Sequence, residues 1–334
     1  MASETASPMV GKALRKASRL AFTWPEEATT LLATGRSLTE FTGVGPYLEK
    51  VIEGWVEKPP TLSSPPPIRE GFLTLTEARK VLAAKPGWPA RLKGDLQMHT
   101  EWSDGSGTIA QMAEAAAGRG YEYIAITDHA KGLKIAGGIN EKELLQQRAE
   151  IGRVNAALQT KALPLQVLRS IEVNLNPRGE SDLEEAALTR LDIVLGCFHS
   201  SLRKQEDQTD RYLAALRNPS IQILGHPRGR IYNYRLGLAA DWPRVFSLAA
   251  ELDKAVEIDS YPDRQDLNVG LLRQARKAGC KISIGTDAHH PPQLAFIELG
   301  LAAALLADLP AERVLHFLPR ERLLSWAQEV RQTR

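Results

Sequence analysis

Cysteine is nearly missing from this chain of 334 residues: Cys197 and Cys280 are the two present, each inside an apolar run. That excludes a disulfide framework and leads us to expect a reducing compartment, the cytoplasm. An excess of charge of one sign is missing too. Lys and Arg number 42 against 40 Asp and Glu, a net charge of +2. Any affinity for a polyanion must therefore come from local patches. No apolar stretch approaches the roughly 18 residues of a membrane span, so no membrane partner is expected. The first ten residues lack the apolar core of a signal peptide. The weakly polar run 299–309 is short and Ala-rich and reads as a buried helix. What remains, 43% hydrophobic and 25% charged residues, is the composition of an ordinary globular protein.

The chain divides by pattern into three stretches. Residues 1–58 read as a small all-helical unit. Lys12, Arg15, Lys16 and Arg19 recur at helical spacing, which puts four cations on one face of a first helix. A second helix is expected from about residue 28. Gly43-Val44-Gly45 then forms a hairpin into a further helix that opens on Pro46. Residues 59–92 hold a Pro-rich stretch, which reads as a stiff linker, and a short helix near 76–84. From residue 93 to 334 short apolar runs alternate with helical segments, the signature of parallel strands.

Five of the seven histidines end those runs: His99, His129, His199, His226 and, just past its run, His289. Glu172 ends a sixth run and Asp259 a seventh, and Asp287 lies beside His289. Imidazoles and carboxylates are the preferred ligands of zinc, manganese and iron. Seven strands whose C-terminal ends all carry such groups predict a closed, distorted (β/α)7 barrel with one polynuclear metal site on that rim. An open doubly wound sheet would gather ligands only near a switch point.

The ordered motifs resemble the polymerase-and-histidinol-phosphatase (PHP) superfamily, and within it the C-terminal PHP domain of bacterial family X DNA polymerases. The matching blocks are Gly94-Asp95-Leu96-Gln97-Met98-His99-Thr100 with Ser103-Asp104-Gly105, Thr127-Asp128-His129 with the Gly-rich loop after it, and Glu172. Phe198-His199-Ser200, Gly225-His226-Pro227, Glu257-Ile258-Asp259 with Arg264, and Gly285-Thr286-Asp287-Ala288-His289 complete the set. The N-terminal hairpin is similar to the helix-hairpin-helix of those polymerases. The stretch 59–92 is too short for a polymerase palm, so polymerase activity is excluded on space. The first position of the family's His-x-His opening is Gln97 here.

The resemblance implies two or three divalent metals (Mn, Zn or Fe). His99, Glu172 and Asp287 would hold one, Glu172 with His199 and His226 a second, and Asp104, His129 and His289 a third. Glu172, His129 and Asp287 would carry the catalysis of a phosphoester hydrolysis, and Lys131, Lys134, Arg203, Arg228 and Arg230 would hold phosphate charge. DNA is the expected partner. Lys12, Arg15, Lys16, Arg19, Gly43, Val44 and Gly45 would meet its phosphates, unless the glycines only turn the chain. Asp128 either orients an imidazole or caps a helix. Asp266 reads as the cap of the helix after it, and His316 and both cysteines read as core. The expected activity is a 3′-5′ exonuclease or 3′-end phosphatase. A small-molecule phosphatase of the histidinol-phosphate type and a DNA-binding scaffold with an inactive barrel are the alternatives.

Overall fold

A computed structural model describes residues 7–61 and 64–332; Leu62 and Ser63 of the expected linker lie outside the described residues. Helix α1 (Pro8–Leu20) starts where Ser7 accepts a bond from the Val10 amide and Pro8 occupies the first turn. The four cations Lys12, Arg15, Lys16 and Arg19 are all exposed on it. Helices α2 (Ala28–Ala33) and α3 (Pro46–Glu57) follow. The segment before the hairpin is one turn of 3-10 helix, Leu38–Glu40, where a longer helix was expected. Gly35, at φ +70°, turns the chain out of α2 too early for the helix to continue. Gly43 turns at φ +86°, a conformation that favours glycine, and a Cβ there would also displace the tip of the Leu20 side chain. Ala17, Leu31, Leu38, Phe41, Val44 and Leu48 form a small core of their own.

This helical unit also packs on the rest of the chain. Phe22 meets Phe72 and Tyr232 with ring centroids 6.0 and 4.8 Å away. Helix α4 (Leu75–Ala83), started by a Thr74–Glu77 capping box, buries Ala78 and Leu82 in the main core. Arg79 pairs there with Glu298 at 2.7 Å. The short helix expected in 59–92 thus belongs to the large unit.

Strands and helices alternate from there on. They are β1 (Gly94–Asp95), α5 (Ile109–Gly118), β2 (Tyr123–Ile126), α6 (Glu141–Thr160), β3 (Gln166–Arg169), β4 (Glu172–Asn174), α7 (Glu185–Leu188) and β5 (Leu195–Cys197), then α8 (Thr209–Arg217), β6 (Ile223–Leu224), α9 (Trp242–Glu251), β7 (Ala255–Asp259), α10 (Val269–Ala278), β8 (Lys281–Gly285), α11 (Ile297–Leu306) and α12 (Arg320–Gln332). All pairing within the two sheets is parallel, in the orders β1-β2-β3 and β4-β5-β6-β7-β8. The run expected as one strand through Glu172 is split into β3 and β4. Its two halves bond different neighbours: β3 pairs with β2, and β4 with β5. The sheets are nonetheless joined beyond the strand ends. His129 bridges to Glu172, and Met98 bridges to Ala288. Both bridges fall at the ends that carry the histidines. Among the described residues no helix is long and apolar enough to cross a membrane. Helix α11 is buried, as the run 299–309 suggested.

One buried charge bears on stability. Lys254 is 3% exposed, and burial depresses its ammonium to about 7. Between about pH 7 and the unfolded value near 10.4 the unfolded chain binds the extra proton, so this group's contribution to stability rises with pH across that window. Lys254→Met is expected to raise the melting temperature at pH 7 and to flatten that rise, read by thermal unfolding at pH 7 and pH 9.5.

Candidate metal centre

Strand geometry gathers the ligand types at one rim, because every parallel strand delivers its C-terminal end to the same side. Glu172 stands at the centre, fully buried. One of its oxygens, Oε1, lies 2.8 Å from His199 Nε2 and 2.8 Å from His226 Nε2. The other, Oε2, lies 3.3 Å from His99 Nε2 and 3.7 Å from His129 Nδ1. His99 Nε2 also meets Asp287 Oδ1 at 3.0 Å. Asp104 Oδ1 is 3.6 Å from His129 Nε2 and 3.3 Å from His289 Nε2. All eight expected ligands therefore fall in one cluster. Their donor atoms gather into overlapping groups within 4.8 Å: His99, Asp104, His129 and His289; His129, Glu172 and His199; His99, Glu172 and Asp287.

The electrostatics fit a cation site. Burial opposes ionisation of Glu172, yet the surrounding imidazoles of His129, His226 and His199 outweigh it and hold the carboxyl well below its usual range. Asp287 is likewise buried and held low, first by Arg264 and then by His99. Burial also opposes charge on His99, but Asp287 and Glu172 raise its imidazole well above normal. His129 goes the other way, to about 3, through burial and the neighbouring His99. Five imidazoles and three carboxylates thus converge in one cluster. Buried Nδ1 atoms of His99, His129 and His226 have no hydrogen-bond partner. Divalent ions satisfy such a donor set better than protons do.

Supporting groups hold the ligands in place. His199 Nδ1 faces Asn174 Oδ1 at 2.5 Å, and His289 Nδ1 faces the Asp287 carbonyl at 2.7 Å, which leaves each Nε2 turned to the cluster. A cavity of about 370 Å³ opens beside His199, lined among others by Gly132, Asn174, Asp182 and Ser200. Gln97 is buried and points Nε2 at Glu172 Oε2, 3.2 Å away. It occupies the family's first histidine position without offering an imidazole.

Several expectations are corrected. Asp128 neither caps a helix nor touches an imidazole through a hydrogen bond. Its oxygens accept from the Thr100 amide and hydroxyl, Ser103 Oγ and Gln147 Nε2, which orders the loop after His99. Asp266 accepts from the Arg228 and Gly229 amides, and Asn268 caps α10 instead. Arg230 cannot serve phosphate. It donates to the carbonyls of Arg264, Glu70 and Gly71 and stacks 3.8 Å over Phe72, a clamp on the segment before α4. Arg228 is turned to the Leu236 and Leu238 carbonyls. Lys131 is exposed and paired with Glu141 at 2.6 Å, while Lys134 and Arg203 are exposed. Both cysteines are core as expected, and Cys197 also lies within 4.8 Å of donor atoms of Glu172 and His226. His316 is core, accepting from the Ile284 amide.

Arg264 had no role in the sequence reading beyond its place in a motif. Its Nε stands 3.3 Å from Asp287 Oδ2 and 3.9 Å from Asp259 Oδ2. Its only sequence signal is a cation in the loop just past a run-ending aspartate. Glu257 was missed as well. It is fully buried, its carboxyl raised well above normal by burial and by Asp259, and its Oε2 accepts from the His226 amide.

The family model described as the PHP domain matches residues 95–261, half of the chain. A DNA polymerase/3′-5′ exonuclease PolX of Bacillus subtilis is 36% identical over 227 residues, 68% of this chain and 39% of that protein. The chain thus spans well under half the length of that relative. A probable phosphatase of Thermoanaerobacter sp. (strain X514) is 29% identical over 220 residues, 63% of this chain and 83% of its own length. Among solved structures, a histidinol phosphate phosphatase of Lactococcus lactis, crystallised with zinc, L-histidinol and phosphate, aligns over 65% of this chain and 94% of its own at TM-score 0.47 and 17% identity.

Proposed function

The chain belongs to the PHP domain family and is a metal-dependent phosphoesterase, and from that premise we propose that it hydrolyses phosphoesters at nucleic-acid ends, as a 3′-5′ exonuclease or 3′-end phosphatase. We further read its strands as one distorted seven-stave barrel. The support for that reading is the pair of bridges, His129 to Glu172 and Met98 to Ala288, that link the two sheets. The observation that carries the hydrolase reading is Glu172, whose two oxygens face two different pairs of imidazoles. That is the disposition of a ligand shared between two metals.

In this reading His99, Glu172 and Asp287 would hold one metal, Glu172, His199 and His226 a second, and Asp104, His129 and His289 a third. When bound, such metals activate water and neutralise charge on the phosphoryl group. The chain's own residues do the rest. Asn174 and the Asp287 carbonyl fix which nitrogen His199 and His289 present. Asp128 holds the loop of Ser103 and Asp104 against the cluster. Arg264, part exposed, sets a permanent cation beside Asp287, where an incoming phosphate brings its negative charge.

Nucleic acid is favoured over a small metabolite by the helical unit. Exposed cations line α1, and Phe22 just after it packs on Tyr232 in the loop after His226. Open space lies in front of Gly45 at the start of α3, the end of a helix that suits phosphate. Val44 instead is an anchor in the helical core. The deciding experiment offers Mn²⁺-loaded protein single-stranded DNA, 3′-phosphorylated DNA and histidinol phosphate side by side. Preference for histidinol phosphate sinks the nucleic-acid reading.

Division of labour gives a second check. Removal of residues 1–67 is expected to leave hydrolysis of a small chromogenic phosphoester intact and to weaken action on DNA, most at low salt. Phe22 covers Phe72 and Tyr232, so the truncated chain is expected to melt at a lower temperature. Equal DNA activity of the two proteins across a salt series means that the helical unit only supports the fold.

A further inference from the structure

The loop after His226 carries an aromatic side chain that no fold requirement explains. Tyr234 is 60% exposed. Its exposure is built in rather than loose. Ile231 and Arg235 exchange backbone hydrogen bonds, and Asn233 between them turns at φ +55°, so Tyr234 sits near the tip of a tight hairpin. The base of the hairpin is clamped from the other side of the molecule. Tyr232 packs edge-on against Phe22 and Phe72, Asn233 takes bonds from Arg69 and gives its amide to the Ile68 carbonyl, and Arg235 Nε binds the Gly229 carbonyl.

One face of the Tyr234 ring is covered by a cation: the Arg203 guanidinium lies 4.5 Å from its centroid. Arg203 comes from the loop after His199, so the pair joins two loops that each begin at an expected metal ligand. Arg235 secures the base of the hairpin, and Arg264 reaches Asp287. The same hairpin touches the helical unit through Phe22. It follows His226 in the chain and so connects an expected ligand to the helical unit.

A rigid aromatic face backed by an exposed arginine is the chemistry that binds single-stranded nucleic acid, with a base stacking on the ring and a cation close to the phosphates. We propose that Tyr234, backed by Arg203, is a stacking platform for a base of a single-stranded nucleic acid whose end enters the metal cluster. This rests on the nucleic-acid reading above and names the single-stranded form and its contact.

The test uses the full chain. A short single-stranded DNA with 2-aminopurine near its 3′ end reports binding by fluorescence quenching on metal-free protein, and cleavage on Mn²⁺-loaded protein. Tyr234→Ala is expected to weaken binding and raise KM about tenfold, with kcat little changed, and Tyr234→Trp to restore both. On the same oligonucleotide with abasic residues near the end, wild type and Tyr234→Ala should bind and cleave alike. No loss in Tyr234→Ala, or an equal loss on base-bearing and abasic DNA, overturns the platform while leaving the hydrolase reading standing. Wild-type protein that hydrolyses a small phosphoester yet neither binds nor cleaves any oligonucleotide overturns the platform and the nucleic-acid reading together.

Discussion

Glu172→Gln is expected to lower kcat at least about a hundredfold, a barrier increase of about 2.7 kcal/mol, with the fold intact. The carboxylate is the shared neighbour of His99, His129, His199 and His226. A glutamine of the same length keeps hydrogen bonds to those imidazoles, but only its carbonyl oxygen can face a metal, and it brings no negative charge. The loss should therefore appear in metal binding and rate, not in folding. Near-UV circular dichroism and the melting temperature of the metal-free variant check the fold, and a phosphoester assay checks the rate. Retention of more than a tenth of the wild-type rate means that Glu172 does not bridge. Glu172→Asp distinguishes charge from reach: if one charge were enough, the shorter acid would recover most of the rate.

Metal removal is the second large effect. Chelation is expected to abolish hydrolysis and to lower the melting temperature, and Mn²⁺ or Zn²⁺ is expected to restore both. The physical reason is the burial of the cluster. Glu172 and His99 are fully buried, and Asp287 is 3% exposed. The partnerless Nδ1 of His129 lies on the cluster side, 3.7 Å from Glu172 Oε2. An ion present at a thousand times its dissociation constant adds about 4 kcal/mol to folding stability. Elemental analysis of loaded protein should return at least two metals per chain. A value below one, or a melting temperature indifferent to chelation, counts against a polynuclear centre. With Gln97 in place of an imidazole, a metal held by His99, Glu172 and Asp287 would be the more easily lost, so titration of metal into stripped protein should resolve sites of unequal affinity.

Residue order alone determined the ligand types and their arrival at one rim. A histidine or carboxylate closing each apolar run, with helical segments between, admits parallel pairing, and parallel pairing sends every run's end to the same side. The family resemblance added an expected grouping of those residues, and the distances around Glu172 and Asp104 bring all eight into one cluster. The same periodicity placed the α1 cations on one exposed face. Tertiary structure decided what depends on contacts between distant segments. Arg228 and Arg230 look like phosphate holders in the chain, but backbone carbonyls of neighbouring loops take their donors. Arg264 looks like a loop cation, but a turn brings it against Asp287. Asp128 and Asp266 exchange the cap roles read from their position for bonds to loop amides. The division of one run into β3 and β4 was equally illegible, because periodicity reports which face a residue takes, not which neighbour its backbone bonds. Tyr234 shares that limit. Its place in the chain says only that it is in a loop, and only the clamp of Phe22, Phe72 and Arg69 on its hairpin holds the ring out against Arg203.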